Sequence, residues 1–224
     1  MKISNRYLIR RLMWLLVLSV RLTTASELIV GASPGFGLKG MTIDQPHLCI
    51  DGAIVLLRVL HHVSEKPRVI VTSSMGIGKD HANLPFVMRV HLLLLHGTRA
   101  DDETLYKTFL DVPHQDKAGL EYLIKTASSA IPTPSTSELP ALLAKIDHSQ
   151  VSKDFLPEVI IVRPAAMMGT GVPSEQAKGA EKCVVKEGAS VWTINRAEVG
   201  RFIVEGCLPG KGDWVNKSPT IGWK

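Results

Sequence analysis

The sequence predicts an α/β protein with a parallel β-sheet. Two strand-like runs, 68–74 and 158–164, flank a helical stretch that contains residues 113–117. The unbroken Val-Ile-Val of the first run lacks the alternation of a half-exposed strand and indicates a parallel strand buried on both faces. Strands that alternate with helices in this way are typical of βαβ units.

A third strand-like run and a helix precede these elements. The apolar run 27–30 stops at glycine-rich residues 31–37, which predicts a strand that leads into a tight turn. Residues 46–63 carry apolar side chains at helical spacing, with Asp44 as the predicted N-cap. Together with the run from Arg68, they predict a βαβ unit. The apolar helical positions are Ile50, Ile54, Leu57 and Leu60.

The middle of the chain predicts more helix and one irregular segment. Dense apolar residues over 85–110 predict one long helix or two helices joined near Gly97, and residues 117–129 continue as a helix. Residues 131–151 are rich in Pro, Ser and Thr, with a short helical piece at 139–146. This composition predicts a surface-loop insertion around 130–152.

The last quarter predicts two strands and a helix around a glycine-rich loop. A strand over 159–162 leads into the loop 168–179, and a second strand follows near 190–194. A helix over 196–208 comes next, with an N-cap supplied at the junction 195–197.

Composition favours one domain and argues against nucleic acid as a partner. The chain has 224 residues, of which 45% are hydrophobic, and is long enough for one well-buried domain. Part of the formal charge of +5 lies on basic residues near the N-terminus. A terminal excess of this kind is weak evidence for nucleic-acid binding, so no nucleic-acid partner is predicted.

The cysteines indicate a reducing compartment. Cys49, Cys183 and Cys207 are odd in number and show no CxxC spacing, so they predict neither a zinc site nor a complete disulfide framework. Buried free thiols are the expected alternative. We therefore predict a cytoplasmic protein without a metal site.

Residues 1–26 argue for a different location and are predicted to lie outside the domain formed by 27–224. Basic residues up to Arg11, an apolar run over 12–20 and small residues over 23–26 resemble the three regions of a signal peptide. Nine apolar residues are too few to span a bilayer, which takes about 20, so no stable membrane span is predicted. Three interpretations of this segment remain open: a secretory signal, a helix on the membrane surface, and a sequence that replaced part of the fold.

Three glycines after the first predicted strand allow two interpretations. Gly31, Gly35 and Gly37 have the spacing with which backbone N–H groups approach a dinucleotide pyrophosphate. Such a loop must lead directly into the N-terminus of a helix, yet residues 38–46 lack the amphipathic pattern of a helix. The sequence therefore favours the second interpretation, in which 28–37 form the fourth strand of a larger fold and a loop that passes beside the cofactor.

A family resemblance rests on the order of elements and motifs along the chain. This order is a strand, Ser-Ser-Met-Gly, a long helix, His-x-x-Lys, a second strand and Arg-Pro. Over residues 27–215 the chain resembles an atypical short-chain dehydrogenase/reductase of the NmrA-like, NAD(P)H-binding group found in fungi. The resemblance implies a Rossmann-like, doubly wound parallel sheet that is incomplete at the N-terminus. It also implies NADP or NAD as cofactor, a small carbonyl or hydroxyl compound as substrate, and a setting in secondary metabolism.

The resemblance also implies site residues. A serine after the fifth strand polarises a carbonyl in active members, which corresponds to Ser73 or Ser74. The lysine that holds the nicotinamide ribose corresponds to Lys117, whereas Pro113 stands where the catalytic tyrosine is expected. In this chain no tyrosine is followed by lysine four residues later. Arg163 and Pro164 correspond to the Arg-Pro beside the nicotinamide and the substrate.

A substitute for the missing tyrosine follows from side-chain chemistry. His114 is the nearest group that can transfer a proton at neutral pH, and Asp116 is able to orient it. The alternative, which is the commoner situation for a histidine, is that His114 is a solvated loop residue.

Three functional classes follow. The first is an NAD(P)-dependent oxidoreductase, the second is a dinucleotide sensor or regulator without turnover, and the third is an inactive remnant that lacks the first strands of the fold. The oligomeric state is not predicted by the sequence.

Overall fold

The computed structural model describes residues 28–30, 47–77, 82–86, 112–149, 151–168 and 183–223. Two 3₁₀ turns, Thr136–Glu138 and Leu143–Lys145, and a π-helical turn, Ile203–Cys207, supplement the main elements. In chain order those elements are β1 (Leu28–Val30), α1 (Leu48–His62), β2 (Val69–Thr72), α2 (Val112–Ala127), β3 (Val159–Pro164), β4 (Ala166–Met168), β5 (Cys183–Glu187), β6 (Thr193–Asn195), α3 (Arg196–Phe202) and β7 (Pro219–Trp223).

The described strands form one sheet in the order β1-β2-β3-β7-β6-β4, with β5 added beside β7. Pairing is parallel from β1 through β2 and β3 to β7, and also between β4 and β6. Strand β7 pairs antiparallel with both β5 and β6. The predicted βαβ unit is confirmed as β1, α1 and β2, whereas β5 and β7 were not predicted.

Alternate side chains of the central strands enter two separate cores. Val71 and Ile161 pack with α1 and α2 on one face of the sheet. Ile70, Ile160 and Val162 pack with α3 and the turn after it on the other face. Because neighbouring residues of a strand point to opposite faces, unbroken apolar runs are what a sheet covered on both sides requires. The predicted α/β class with a doubly wound parallel sheet is confirmed.

Strand β1 lies at one end of the described strand order, next to β2. A pyrophosphate-binding loop is expected after a central strand, at the point where the strand order reverses. The edge position agrees with the second interpretation of the glycine run. The glycines themselves, Gly31, Gly35 and Gly37, lie outside the described residues.

Helix α1 buries one complete face. His47 occupies its N-cap position, so the prediction of Asp44 as the N-cap is wrong. The physical reason is that the first amides of α1 bind a carboxylate from another helix, which removes the need for a local cap. The buried side chains of α1 are Cys49, Ile50, Ala53, Ile54, Leu57 and Leu60.

Helices α1 and α2 cross closely at Gly119. A Cβ atom at this position would lie 2.5 Å from Cδ1 of Ile50, so only glycine fits without repacking. The segment after α2 covers the same region, because Leu143 is fully buried and the Leu142 N–H donates to Gln115 Oε1 at 3.1 Å. The helical piece predicted at 139–146 is the 3₁₀ turn Leu143–Lys145.

Several predicted elements fall largely or wholly outside the described residues. These are the segment 1–26, nearly all of the helical stretch 85–110, and nearly all of the glycine-rich loop 168–179. Among the helices that are described, none combines the length and the apolar character that crossing a bilayer demands.

Candidate functional site

The predicted site residues on the strands meet at one edge of the sheet. Ser73 and Ser74 directly follow β2, while Arg163 and Pro164 end β3. The Ser73 N–H donates to the Val162 carbonyl at 2.8 Å, and the Met75 N–H donates to the Pro164 carbonyl at 3.0 Å. These bonds extend the pairing of the two strands beyond the end of β2, so the two serines lie beside Arg163 and Pro164. The carboxyl edge of a parallel sheet is where ligands bind in this fold class.

The two serines face different environments. Ser73 has no exposed surface and lies on the side of the sheet that α2 covers. Ser74, the next residue along an extended backbone, points to the opposite side and is partly exposed. Of the two, Ser74 is therefore the serine whose side chain is open to a ligand in the described structure.

A buried ion pair links β3 to α2. Arg163 Nε donates to Glu121 Oε1 at 2.9 Å, and Arg163 Nη2 donates to Glu121 Oε2 at 2.5 Å. Lys125 Nζ lies 3.3 Å from Glu121 Oε2. Glu121 is 2% exposed and Arg163 is 7% exposed. This two-pronged geometry is the strongest form of Arg-carboxylate contact, and it directs the guanidinium toward α2.

The environment of Glu121 favours its ionised form. Burial acts to raise the pKa of this carboxyl, but the hydrogen bonds and charge of Arg163, followed by the charge of Lys125, lower it below its ordinary value. Ser73 makes a smaller contribution in the same direction. The Ser73 Oγ atom faces the carboxylate without reaching the geometry of a full hydrogen bond. The serine hydroxyl is thus enclosed beside a buried charge.

Lys117 lies one helical turn before Glu121. Its side chain is partly buried, and it forms neither an ion pair nor a hydrogen bond with any residue in the described ranges. Burial lowers the pKa of the Lys117 ammonium, while the nearby Cys49 and Asp116 act to raise it. A partly buried amine whose pKa is lowered by burial is a candidate functional group.

His114 lies in the first turn of α2 and is partly buried. His114 is therefore a helical residue, which corrects the expectation that it lies in a loop. The helix already begins at Val112, because a proline in the first turn of a helix loses no backbone hydrogen bond and has a suitable φ. His114 and Lys117 are three residues apart on this helix and occupy the same side of it.

Asp116 has a structural role that sequence analysis missed. Its Oδ2 and Oδ1 atoms accept hydrogen bonds of 2.9 Å from the amides of Cys49 and Ile50, the first amides of α1 that are buried. Burial raises the pKa of Asp116, although these two N–H donors act to lower it. His114 lies two residues away, about 200° around the helix, so the predicted orientation of His114 by Asp116 does not match this geometry.

The cysteines match the expectation of free thiols. Cys49 and Cys207 are buried and Cys183 is partly buried, and all three are free. Burial raises the pKa of Cys207 to about 11, which leaves its thiol protonated and unreactive at neutral pH. Within the described residues no cluster of His, Cys, Asp or Glu has the arrangement of a metal site.

Comparisons with known proteins give two similarities. No family model matches the chain. The chain is 27% identical to Oxidase pynE of Aspergillus niger over an alignment of 224 positions, which covers 89% of this chain and 66% of that protein. A crystal structure of a wide-type short-chain dehydrogenase/reductase from Veillonella parvula, in complex with NADP, is similar with a TM-score of 0.46 and 12% identity. That similarity covers 89% of this chain and 63% of the bacterial one.

Proposed function

We propose that this chain is an NAD(P)-binding, oxidoreductase-like protein that acts on a small carbonyl or hydroxyl compound at the carboxyl edge of its sheet. The observation that carries the proposal is Lys117, a partly buried amine next to that edge, which makes no hydrogen bond or ion pair within the described ranges. A helix between parallel strands runs back against them, so the N-terminal turns of α2 lie on the carboxyl side of the sheet. Lys117 precedes Glu121, whose partner Arg163 marks the edge.

The chemistry of the edge suits a dinucleotide and a carbonyl. The Lys117 ammonium offers three donors to ribose hydroxyl or phosphate oxygens. Ser74 offers a partly exposed hydroxyl that can donate to a substrate oxygen. The similarity to a protein that is named an oxidase supports a redox role. The NmrA-like group and secondary metabolism are the finer assignments that we propose with it.

His114 is the proposed proton-transfer group. It lies on the same side of α2 as Lys117, and imidazole titrates near neutral pH. His114 and Lys117 would together take over the proton transfer that the absent tyrosine would otherwise perform.

A second candidate is a dinucleotide sensor that has no turnover. Three observations favour it. Ser73 is fully enclosed, Arg163 is bound to Glu121, and the chain lacks a tyrosine four residues before lysine. In this alternative the same edge binds NADP or NAD, and a partner protein detects the bound state.

Replacing Lys117 with alanine tests the proposed site. We expect the Kd for NADPH or NADH to rise about tenfold or more, because hydrogen bonds to a charged group each contribute about 1.5–3 kcal/mol. The lowered pKa of Lys117 predicts that wild-type affinity falls with rising pH before the ordinary range of lysine is reached, whereas the affinity of the variant does not. Titration calorimetry at several pH values measures both effects.

Lys145→Ala is the matched control, since Lys145 is exposed and lies in the 3₁₀ turn Leu143–Lys145. Equal affinities for wild type and Lys117→Ala would contradict the assignment. Turnover separates the two candidates: oxidation of bound NADPH by small carbonyl compounds supports the enzyme, while binding without oxidation supports the sensor.

A further inference from the structure

One buried carboxylate brings together groups from three elements of the fold. Glu121 of α2 accepts two hydrogen bonds from Arg163 at the end of β3, at 2.9 Å and 2.5 Å. The Lys125 ammonium lies 3.3 Å from the same carboxylate, and the Ser73 hydroxyl after β2 faces it. The carboxylate therefore connects α2 to the ends of the two strands that carry the proposed site.

The contact between Glu121 and Arg163 is geometrically specific. The Arg163 side chain is 8% exposed and that of Glu121 is 2% exposed, so the pair is almost wholly shielded from water. Two parallel N–H donors of an arginine define both the distance and the angle of a carboxylate, whereas a single ammonium is a point charge that defines neither. The pair thus holds α2 at a defined position relative to β3.

Lys117 lies on the same face of α2, one turn before Glu121. Residues four apart on a helix are neighbours on its surface and are separated by about 6 Å along its axis. The direction from Glu121 to Lys117 points toward the carboxyl edge of the sheet, because a helix between parallel strands runs back against them. Any shift of Glu121 relative to Arg163 is therefore carried to Lys117.

The Lys117 ammonium depends on this support. It makes no hydrogen bond or ion pair within the described ranges, so the backbone of α2 determines where it lies. Cys49 of α1 and Asp116 of α2 are the titratable groups that act on it. Binding groups must be held within about 0.5 Å of their productive positions, and a rigid contact one turn away provides this.

We propose that Glu121 and Arg163 form a positioning pair that holds Lys117 where it binds the dinucleotide. The proposal rests on the proposed cofactor site and adds two residues that act through Lys117. In this arrangement Arg163 acts by fixing α2 and not by contact with the cofactor. The buried pair then contributes to ligand affinity as well as to the stability of the fold.

Two variants keep the charges of the pair and change its geometry. Glu121→Asp shortens the carboxylate side chain by one methylene, and Arg163→Lys replaces the two-pronged donor with a single ammonium. We expect each to raise the Kd for NADPH at least about fivefold, because small displacements of a binding group have large effects. Titration calorimetry measures the Kd, and circular dichroism confirms that each variant is folded.

Arg68→Lys is the matched control. The Arg68 side chain is 9% exposed and binds Glu158 at 2.7 Å, at the opposite, amino end of the same two strands. Its replacement also removes a buried arginine contact and is expected to lower stability. Because Lys117 lies at the other end of the strands, we expect the Kd for NADPH to change by less than about twofold.

Acetylation of Lys117, followed by mass spectrometry over a range of pH, tests its position without a ligand. Burial lowers the pKa of the Lys117 ammonium, so the wild-type midpoint is expected below the ordinary lysine range. We expect the midpoint to rise toward that range in Glu121→Asp and Arg163→Lys, because displacement of α2 admits water to the amine. It is expected to stay unchanged in Arg68→Lys.

The two measurements separate the positioning role from the cofactor site. A wild-type chain that binds no dinucleotide contradicts the cofactor site, and the acetylation midpoints then decide alone whether the pair positions Lys117. Unchanged midpoints in both Glu121→Asp and Arg163→Lys would overturn the positioning role. So would an unchanged Kd in these folded variants of a chain that binds NADPH.

Discussion

Glu121→Gln is expected to lower the free energy of unfolding by about 3–5 kcal/mol, because it leaves the Arg163 guanidinium charged and buried without its counter-ion. Both groups are less than a tenth exposed and share two hydrogen bonds. Loss of the charge also removes the ion pair with Lys125. Equilibrium unfolding in urea at neutral pH measures the difference.

The effect depends on pH in a defined direction. The pKa of Glu121 is lowered in the folded state, so its stabilising contribution is present above the ordinary carboxyl range and is lost as the pH falls through the folded value. The deficit of Glu121→Gln is therefore expected to shrink in acid. Glu205→Gln is the control, since Glu205 is 62% exposed in its pair with Arg201 and its loss is expected to cost less than about 1 kcal/mol. Equal losses in the two variants would contradict the account of the buried pair.

Asp116→Ala is expected to lower the free energy of unfolding by about 2–4 kcal/mol, because it leaves two buried amides of α1 without an acceptor. Asp116→Asn retains one acceptor oxygen and is expected to have a smaller effect. Hydrogen exchange of the Cys49 and Ile50 amides should accelerate more than exchange in the centre of α1.

The matched control for Asp116 is Asp147→Ala. Asp147 also accepts a backbone hydrogen bond, from Ser149 at 3.1 Å, but it is exposed. We expect its replacement to change stability by no more than about 0.5 kcal/mol. Unchanged exchange of the α1 amides in Asp116→Ala would show that this carboxylate does not hold the start of the helix.

Strands β2 and β3 could be predicted from sequence because a sheet covered on both faces demands unbroken apolar runs. Strand β5, Cys183–Glu187, was missed because its side chains are only partly buried and end in Lys-Glu. Strand β7 was missed because Pro219 and Gly222 suggest a turn. Gly222 is instead required by packing, since a Cβ there would lie 2.7 Å from Val191 and 2.8 Å from Ala165. Such contacts come from residues distant in sequence, which local patterns do not contain.

The site was predictable to the extent that sheet geometry determines it. The sequence placed Ser73 and Arg163 at the ends of two predicted strands, and the pairing beyond β2 brings these two strand ends together. The ion pair with Glu121 was missed, although a signal was present: an arginine at the end of a buried strand needs a counter-ion. Glu121 lies four residues from both Lys117 and Lys125, and only the packing of α2 decides which partner it takes.

Titration calorimetry of the purified chain with NADPH and with NADH is the decisive experiment for the proposed cofactor site. We expect saturable binding of at least one of the two dinucleotides with a Kd on the order of micromolar, accompanied by a rise in the unfolding temperature. Absence of binding by a chain that circular dichroism shows to be folded would contradict a cofactor site at the carboxyl edge.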